Sequence, residues 1–334
     1  MLLSILTLIP LLISIAFFTL AERKVMAAIQ RRKGPNVIGI FGLLQPFADG
    51  LKLIIKENIF PTKSNMFLFL IAPIFILITS FISWVVYPFN SYSILADIQY
   101  SILYSLFISS LSIYGIFLAG FSSNSKYSLL GAIRAISQMI SYEISISIII
   151  LPIILLSGSF NLITIIYKQI NIWYIFPLLP LSFIFLISIL AETNRAPFDL
   201  AEAEAELVAG YNIEYSSILF VAFFLGEYSN ILLMSGLFVI FFLGGWSFLF
   251  LDVLSPLLLS IKVVFISFIF IFIRSNLPRY RYDQLMFIGW KIFLPLTFGF
   301  FTFYSGLIWS FNYGTLLEIP FLNFNCIFIQ SFKI

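Results

Sequence analysis

Long apolar runs broken by short charged segments set the rhythm of this chain. Met1 to Leu20 is apolar, and Glu22, Arg23 and Lys24 follow it directly. Further runs cover Met66 to Tyr87, about Ile102 to Phe121 and about Gly131 to Leu156, with a fifth that ends at Glu192. Three more start near Ser217, after the turn from Gly244 to Pro256, and near Leu285, the last reaching about Trp309. A hydrocarbon core about 30 Å thick needs about 20 apolar residues per helix, and about eight runs meet that length. Lipid offers nothing to unpaired backbone groups, so the runs should be helices. A β-barrel would show short alternating segments instead. The pattern therefore predicts an all-α polytopic membrane protein with about eight transmembrane helices. Residues 1–334 read as a single integral membrane domain without a soluble domain or an internal repeat. Ser157 to Asn171 reads as a loop containing Lys168.

One short segment has a different period. Over residues 43–57, Leu44, Phe47, Ala48, Leu51, Ile54 and Ile55 fall at helical spacing, with Gln45, Asp49, Lys52 and Lys56 on the opposite face. This predicts an amphipathic helix lying at the membrane surface. It serves either as an anchor or as a gate beside a lipid-soluble substrate.

Composition narrows the chemistry. The chain is 61% hydrophobic and 10% charged, with no His and a single Cys, Cys326. An iron–sulfur cluster needs about four Cys, or Cys plus His, and a typical zinc site also draws on these residues. No metal site and no bound redox cofactor are expected in this chain. No G-x-G-x-x-G occurs: Gly34, Gly39 and Gly42 have the wrong spacing, and Ile40 stands where a P-loop needs Lys. Neither a nucleotide nor a nucleic acid has an evident site. The first run lacks a positive n-region and a small-residue cleavage site, so it reads as a retained helix. No Arg-rich transit peptide precedes it, which points to a bacterial chain or one made inside an organelle. The load of Ile, Phe, Asn and Tyr reads as AT-rich coding and favours a mitochondrial genome.

Charge then sets orientation. Fifteen cations, from Arg23 through Lys291, flank the loops between runs 1–2, 3–4, 5–6 and 7–8, whereas Lys168 and Lys333 fall on the other side. The positive-inside rule puts the first set toward the matrix or cytoplasm and the N-terminus outside. The most acidic stretch, about 192–217, lies on the inner side as well. It reads AETNRAPFDLAEAEAELVAGYNIEYSS from Ala191 and holds Glu192, Asp199, Glu202, Glu204, Glu206 and Glu214, opposed only by Arg195. Acids this close repel, and each ionisation makes the next harder. The stretch is therefore solvated, paired with the basic loops, or used to hold and pass protons. Asp199 with Glu202, after Pro197, has capping-box spacing, so Asp199 reads as a helix cap or as a proton station.

Three ionisable residues fall inside the runs. Glu143 and Glu227 lie roughly 18 Å and 15 Å into their helices, and Lys262 also sits well inside its run. A charge at the bilayer centre costs about 2.5–3.5 kcal/mol on the insertion scale. Either Lys262 pairs with one of the acids, or the acids are stations of a hydrated proton path. Glu192, Glu143 and Glu227 would be such stations, fed by the acidic stretch. A slot for a molecule with an apolar tail and a polar head also finds suitable groups in Phe223, Phe224 and Tyr228 beside Arg23, Arg32 and Arg274.

Four stretches carry a family resemblance. They are the acidic stretch itself, AERKVMAAIQRRKGPNVIGIFGLLQPFADGLKLIIKE (21–57), GFSSNSKYSLLGAIRAISQMISYE (120–143) and RSNLPRYRYDQLMFIGWK (274–291). Together they resemble subunit 1 of respiratory complex I, the proton-pumping NADH:ubiquinone oxidoreductase. The likeness runs over nearly the whole chain, apart from the tail after about Gly314. It implies a subunit of the mitochondrial inner membrane that receives ubiquinone from the bilayer, with Glu22, Arg23, Arg32, Asp49 and Arg274 near the quinone tunnel. It further implies partner subunits of the hydrophilic arm that carry the quinone head site, the terminal iron–sulfur cluster and the flavin, together with other membrane-arm subunits and phospholipid. Rival readings are the related subunit of a membrane-bound hydrogenase, a secondary proton or cation transporter, and a scaffold without chemistry. A transporter would be expected to show repeats and broken helices.

Overall fold

The computed structural model describes residues 2–90, 93–199, 210–247 and 255–314. In chain order the helices are α1 (Leu2–Ile29), α2 (Gln45–Ile55), α3 (Met66–Ile82), α4 (Ser101–Ser122), α5 (Lys126–Ser157) and α6 (Leu162–Lys168). They continue with α7 (Leu179–Glu192), α8 (Ser217–Phe242), α9 (Ser255–Asn276), α10 (Tyr282–Phe287) and α11 (Leu294–Gly314). A π-helical turn, Ile288–Phe293, joins the last two into one continuous span. Six helical spans are long and apolar enough to cross a membrane. α1, apolar through Leu20, and the shorter α7 bring the apolar helices among the described residues to eight. The chain is an all-α polytopic membrane protein.

Hydrogen bonds between connecting segments define the two ends of the bundle. At the basic end, Asn65 N–H donates to Ser122 O (3.0 Å), Ile59 N–H to Ser216 Oγ (3.0 Å) and Tyr280 N–H to Pro197 O (3.0 Å). At the opposite end, Ile102 N–H donates to Phe160 O (3.2 Å) and Ile175 N–H to Phe242 O (3.0 Å). The basic connections therefore lie together at one end, as their charge pattern predicts.

Two segments differ from the sequence expectation. α5 begins at Lys126 rather than near Gly131, because the Ser125 side chain caps it by accepting from Ser128 N–H. It ends at Gly158, whose φ of 69° suits a residue without a Cβ. The segment read as a loop from Ser157 to Asn171 contains α6. Asn161 Oδ1 accepts from Ile163 N–H (2.8 Å) to start that helix, and Asn161 Nδ2 ties it to Asp97 (2.7 Å).

The core has two parts. The larger packs Tyr142, Phe185, Phe241 and Phe242, each almost fully buried, among α1, α5, α7, α8 and α9. The smaller packs Phe69, Ile76 and Phe223 between α3, α4, α5 and α8. The outward faces are apolar and exposed, as a lipid-facing surface requires.

Candidate functional site

At the basic end four side chains meet around one carboxylate. Glu22, near the end of α1, is only 4% exposed. Its Oε1 takes Arg195 Nη1 at 2.9 Å and pairs with Arg274, while its Oε2 accepts from Tyr228 Oη at 2.5 Å. The Arg195 guanidinium also lies over the Tyr228 ring, 4.3 Å from its centre. A buried carboxylate held by two guanidinium groups and a phenol is charged, oriented and largely shielded from water. The helices supply one group each: Glu22 from α1, Tyr228 from α8 and Arg274 from α9, with Arg195 from the connection after α7. Phe18, Ile231, Phe270 and Ile271 wall a small cavity beside them.

Arg195 is the member whose place differs from the sequence reading. It stands among acids in the sequence, yet it reaches Glu22, 173 positions away. Its run of neighbouring acids masks that pairing. The other expected cations spread outward. Arg23 pairs with Asp49 at 2.5 Å, Gln45 donates to the same carboxylate at 2.9 Å, and Phe17 meets Phe47 edge-on. These contacts hold α2 against α1, and Arg32 is exposed nearby in sequence. Leu44, Leu51, Ile54 and Ile55 of α2 remain exposed, so its apolar stripe faces away from the protein.

Adjacent residues of α8 face different groups. Phe224 stacks on Tyr228 (5.8 Å between centres), beside the Glu22 cluster. Phe223 turns away and packs on Tyr211 (5.6 Å) and Tyr215 (4.8 Å), as a helical step between neighbours demands. Tyr211 donates a hydrogen bond to Glu227. Tyr215 shares one with Ser122 (2.9 Å) and stacks on Phe69 at 4.0 Å. Burial pushes the Tyr215 phenol up to about 12, so it stays neutral in this contact. Glu214 is half-buried in the turn just before it.

A second acidic group lies at the end of α7. Glu192 is 8% exposed, and its Oε2 is buried without a hydrogen-bond partner. Gln138 of α5 donates to Ala191 O (2.7 Å) and Phe198 O (2.8 Å), which locks the backbone on either side of the turn. Glu143, further along α5, meets Ser109 of α4 at 3.2 Å and is close enough to act electrostatically on Glu192. Asp199 is buried (3% exposed) and faces Arg279 at 3.6 Å, while Phe198 stacks on Tyr280 (5.4 Å). The connections after α7 and after α9 are thus clasped together. Glu202, Glu204 and Glu206 lie outside the described residues.

Lys262 departs from the expectation of a glutamate partner. Its Nζ donates to the carbonyls of Leu243 (2.8 Å), Gly245 (2.9 Å) and Ser247 (3.0 Å), and sits 4.7 Å from the centre of the Trp173 ring. These carbonyls close the end of α8 opposite the basic end. Counting along one helix places Lys262 at depth, but the chain after α8 folds back to meet it. Hydrogen bonds to a charged group contribute about 1.5–3 kcal/mol. The expected result of Lys262→Met is a stability loss of about that size, read as a lower unfolding midpoint in detergent. An unchanged midpoint would show that the three bonds contribute nothing net.

The bundle and its end-on cluster define a multi-pass, all-helical membrane protein whose buried ion pairs gather at one membrane face. Residues 2–305 match the NADH dehydrogenase family. The chain belongs to that family. It is 54% identical over 319 residues to NADH-ubiquinone oxidoreductase chain 1 of Chondrus crispus, covering 94% of this chain and 98% of that one. The chain of the same name from Arabidopsis thaliana is 54% identical over 310 residues, covering 91% and 95%. Its counterpart from Cyanidium caldarium, again NADH-ubiquinone oxidoreductase chain 1, is 52% identical over 309 residues, covering 91% and 90%.

Proposed function

We propose that this chain is the quinone-cavity membrane subunit of respiratory complex I, seated in the mitochondrial inner membrane with its N-terminus toward the intermembrane space. The observation that carries this reading is the Glu22 cluster. It fixes charged groups at the basic end, beside an amphipathic helix whose apolar stripe is free for lipid. Names of the relatives support a quinone-linked oxidoreductase over a hydrogenase or an independent transporter.

Ubiquinone enters from the bilayer beside α2. Its head passes Phe224, Tyr228, Glu22 and Arg274, with Arg23, Arg32 and Asp49 at the rim and Phe223 behind them. The head then reaches a hydrophilic-arm subunit, where the partner's iron–sulfur cluster supplies electrons that come from NADH through flavin. Forming quinol consumes two protons, so reduction leaves the cavity short of protons. Glu192, Glu143 and Glu227 relay that change into the membrane arm, joined by Glu202, Glu204, Glu206 and Glu214. Asp199, clasped by Arg279, holds the start of the acidic stretch. Lys262 takes no part in the relay and ties the far end of the bundle. The chain alone carries no redox group and has no activity of its own.

The test is Glu192→Gln in the assembled complex. NADH to short-chain quinone is assayed beside NADH to an artificial acceptor that bypasses the quinone site. The expected result is a fall of about tenfold or more in quinone reduction, a loss typical of a removed proton-transfer group, with the bypass rate intact. Normal quinone reduction and normal pumping would overturn the role of Glu192.

A further inference from the structure

A narrow cavity runs between α3, α4, α5, α7 and α8, with about 40 Å³ of space for water centres. That is room for roughly three waters. One wall carries hydroxyls: Thr79 and Ser83 from α3 and its end, and Ser105, Ser109 and Ser112 from α4. Asn230 of α8 adds a carboxamide. The opposite wall is apolar, with Ile146, Ile150 and Phe185. Glu192 also lines the cavity, and it is the residue whose Oε2 is buried without a partner. Buried polar cavities take up water, and dry ones are apolar.

The hydroxyls are set to accept hydrogen bonds. Ser105 donates to Ile102 O (2.8 Å), Ser109 to Leu106 O (2.8 Å), Ser112 to Ser109 O (2.7 Å) and Thr79 to Ile76 O (3.0 Å). Each hydroxyl has one proton, so with that proton on the backbone its lone pairs remain for a water. Ser109 differs from the others. Its oxygen also lies 3.2 Å from Glu143 Oε1, so one proton faces two acceptors. When Glu143 is ionised, the hydroxyl turns to it. When Glu143 is neutral, the acid donates to Ser109 Oγ and the hydroxyl keeps its backbone bond.

We propose that this cavity holds a short string of water joining Glu192 to Ser109 and, through Ser109, to Glu143. The string rests on the relay described above and names what carries protons between its two acids. Glu192 releases a proton to the first water, and each water passes one on. The last water protonates Ser109 Oγ as the original Ser109 proton moves to the Glu143 carboxylate. One proton has moved, Glu192 is ionised, Glu143 is neutral, and no electron is transferred. Ser109, Ser112 and Asn230 act as positioning residues.

Met139 lines the same cavity and is 6% exposed, which gives a test independent of activity. The intact complex is irradiated with X-rays in oxygen-18 water, and hydroxyl-radical labelling is read at Met139. Labelling of Met139 is expected despite its burial, falling several-fold in Ser112→Leu, which fills the cavity. An unlabelled Met139, or labelling that Ser112→Leu leaves unchanged, overturns the proposal. Should Ser112→Leu fail to assemble, the wild-type labelling and Ser109 variants decide. Ser109→Ala is expected to slow quinone reduction several-fold with a larger solvent isotope effect and an intact bypass rate, and Ser109→Thr to restore both. If Glu192→Gln impairs quinone reduction but Ser109→Ala does not, the water string is wrong and the relay stands. If Glu192→Gln is also silent, the relay itself fails and the string falls with it.

Discussion

Replacing Glu22 by Leu is expected to remove most of the intact complex from the membrane and to abolish quinone reduction in what remains. The reason is electrostatic. Glu22 is the carboxylate that both Arg195 and Arg274 address, and the three side chains are 5%, 11% and 27% exposed. Removing one partner from a buried ion pair costs about 3–5 kcal/mol, because the remaining charge stays out of water. Here two guanidinium groups are left close together, so repulsion adds to desolvation. Tyr228 loses its acceptor as well. Glu22→Asp keeps the charge but draws it back by one carbon, so it should assemble and work at a reduced rate. Native gels stained for NADH oxidation, read with the quinone assay, check both variants. Wild-type assembly and rate in Glu22→Leu would mean that the cluster is dispensable.

Gly131→Val is expected to be nearly as damaging, although it removes no contact. A Cβ at Gly131 of α5 would stand 2.9 Å from both Cα and the carbonyl carbon of Gly210 and 3.2 Å from the Tyr211 nitrogen. These are backbone atoms, which have no rotamer to retreat into. Overpacking of this kind costs about 1–3 kcal/mol, and backbone against backbone belongs at the upper end. Relief comes by pushing the turn Gly210–Asn212 away from α5. That turn carries Tyr211, the donor to Glu227. Gly131→Val should therefore lower the unfolding midpoint and slow quinone-linked pumping together. Gly131→Ala should show the same effects more weakly. A variant that lost stability but pumped normally per intact complex would separate the turn from the relay.

The sequence makes the helices legible and leaves most of their partners hidden. Apolar runs have a fixed length in lipid, and α2 shows its amphipathic period within eleven residues. Glu22, Tyr228 and Arg274 stand out as site candidates through a resemblance or a suitable side chain. Their mutual contact is not visible, because no local period links positions so far apart. Arg195 is hidden for the opposite reason, since nearby acids offer a simpler pairing. Lys262 shows the limit of counting depth along one helix: its acceptors belong to a returning segment. The short helix α6 is within reach of the sequence. Asn161 before an apolar run is a recognisable start signal, easily passed over because the segment is short.

Timing gives the Glu22 cluster one more consequence. Its partners Arg195, Tyr228 and Arg274 are separated from it by 173, 206 and 252 positions. The ribosome delivers Glu22 first and Arg274 last, and synthesis is slow compared with helix formation. The cluster is therefore a late closure, formed only when nearly the whole chain has entered the membrane. A nascent chain stalled before Arg274 carries Glu22 with one arginine instead of two. Completion of synthesis is thereby written into the charge balance at one end of the bundle, where an insertion or quality-control factor meets it.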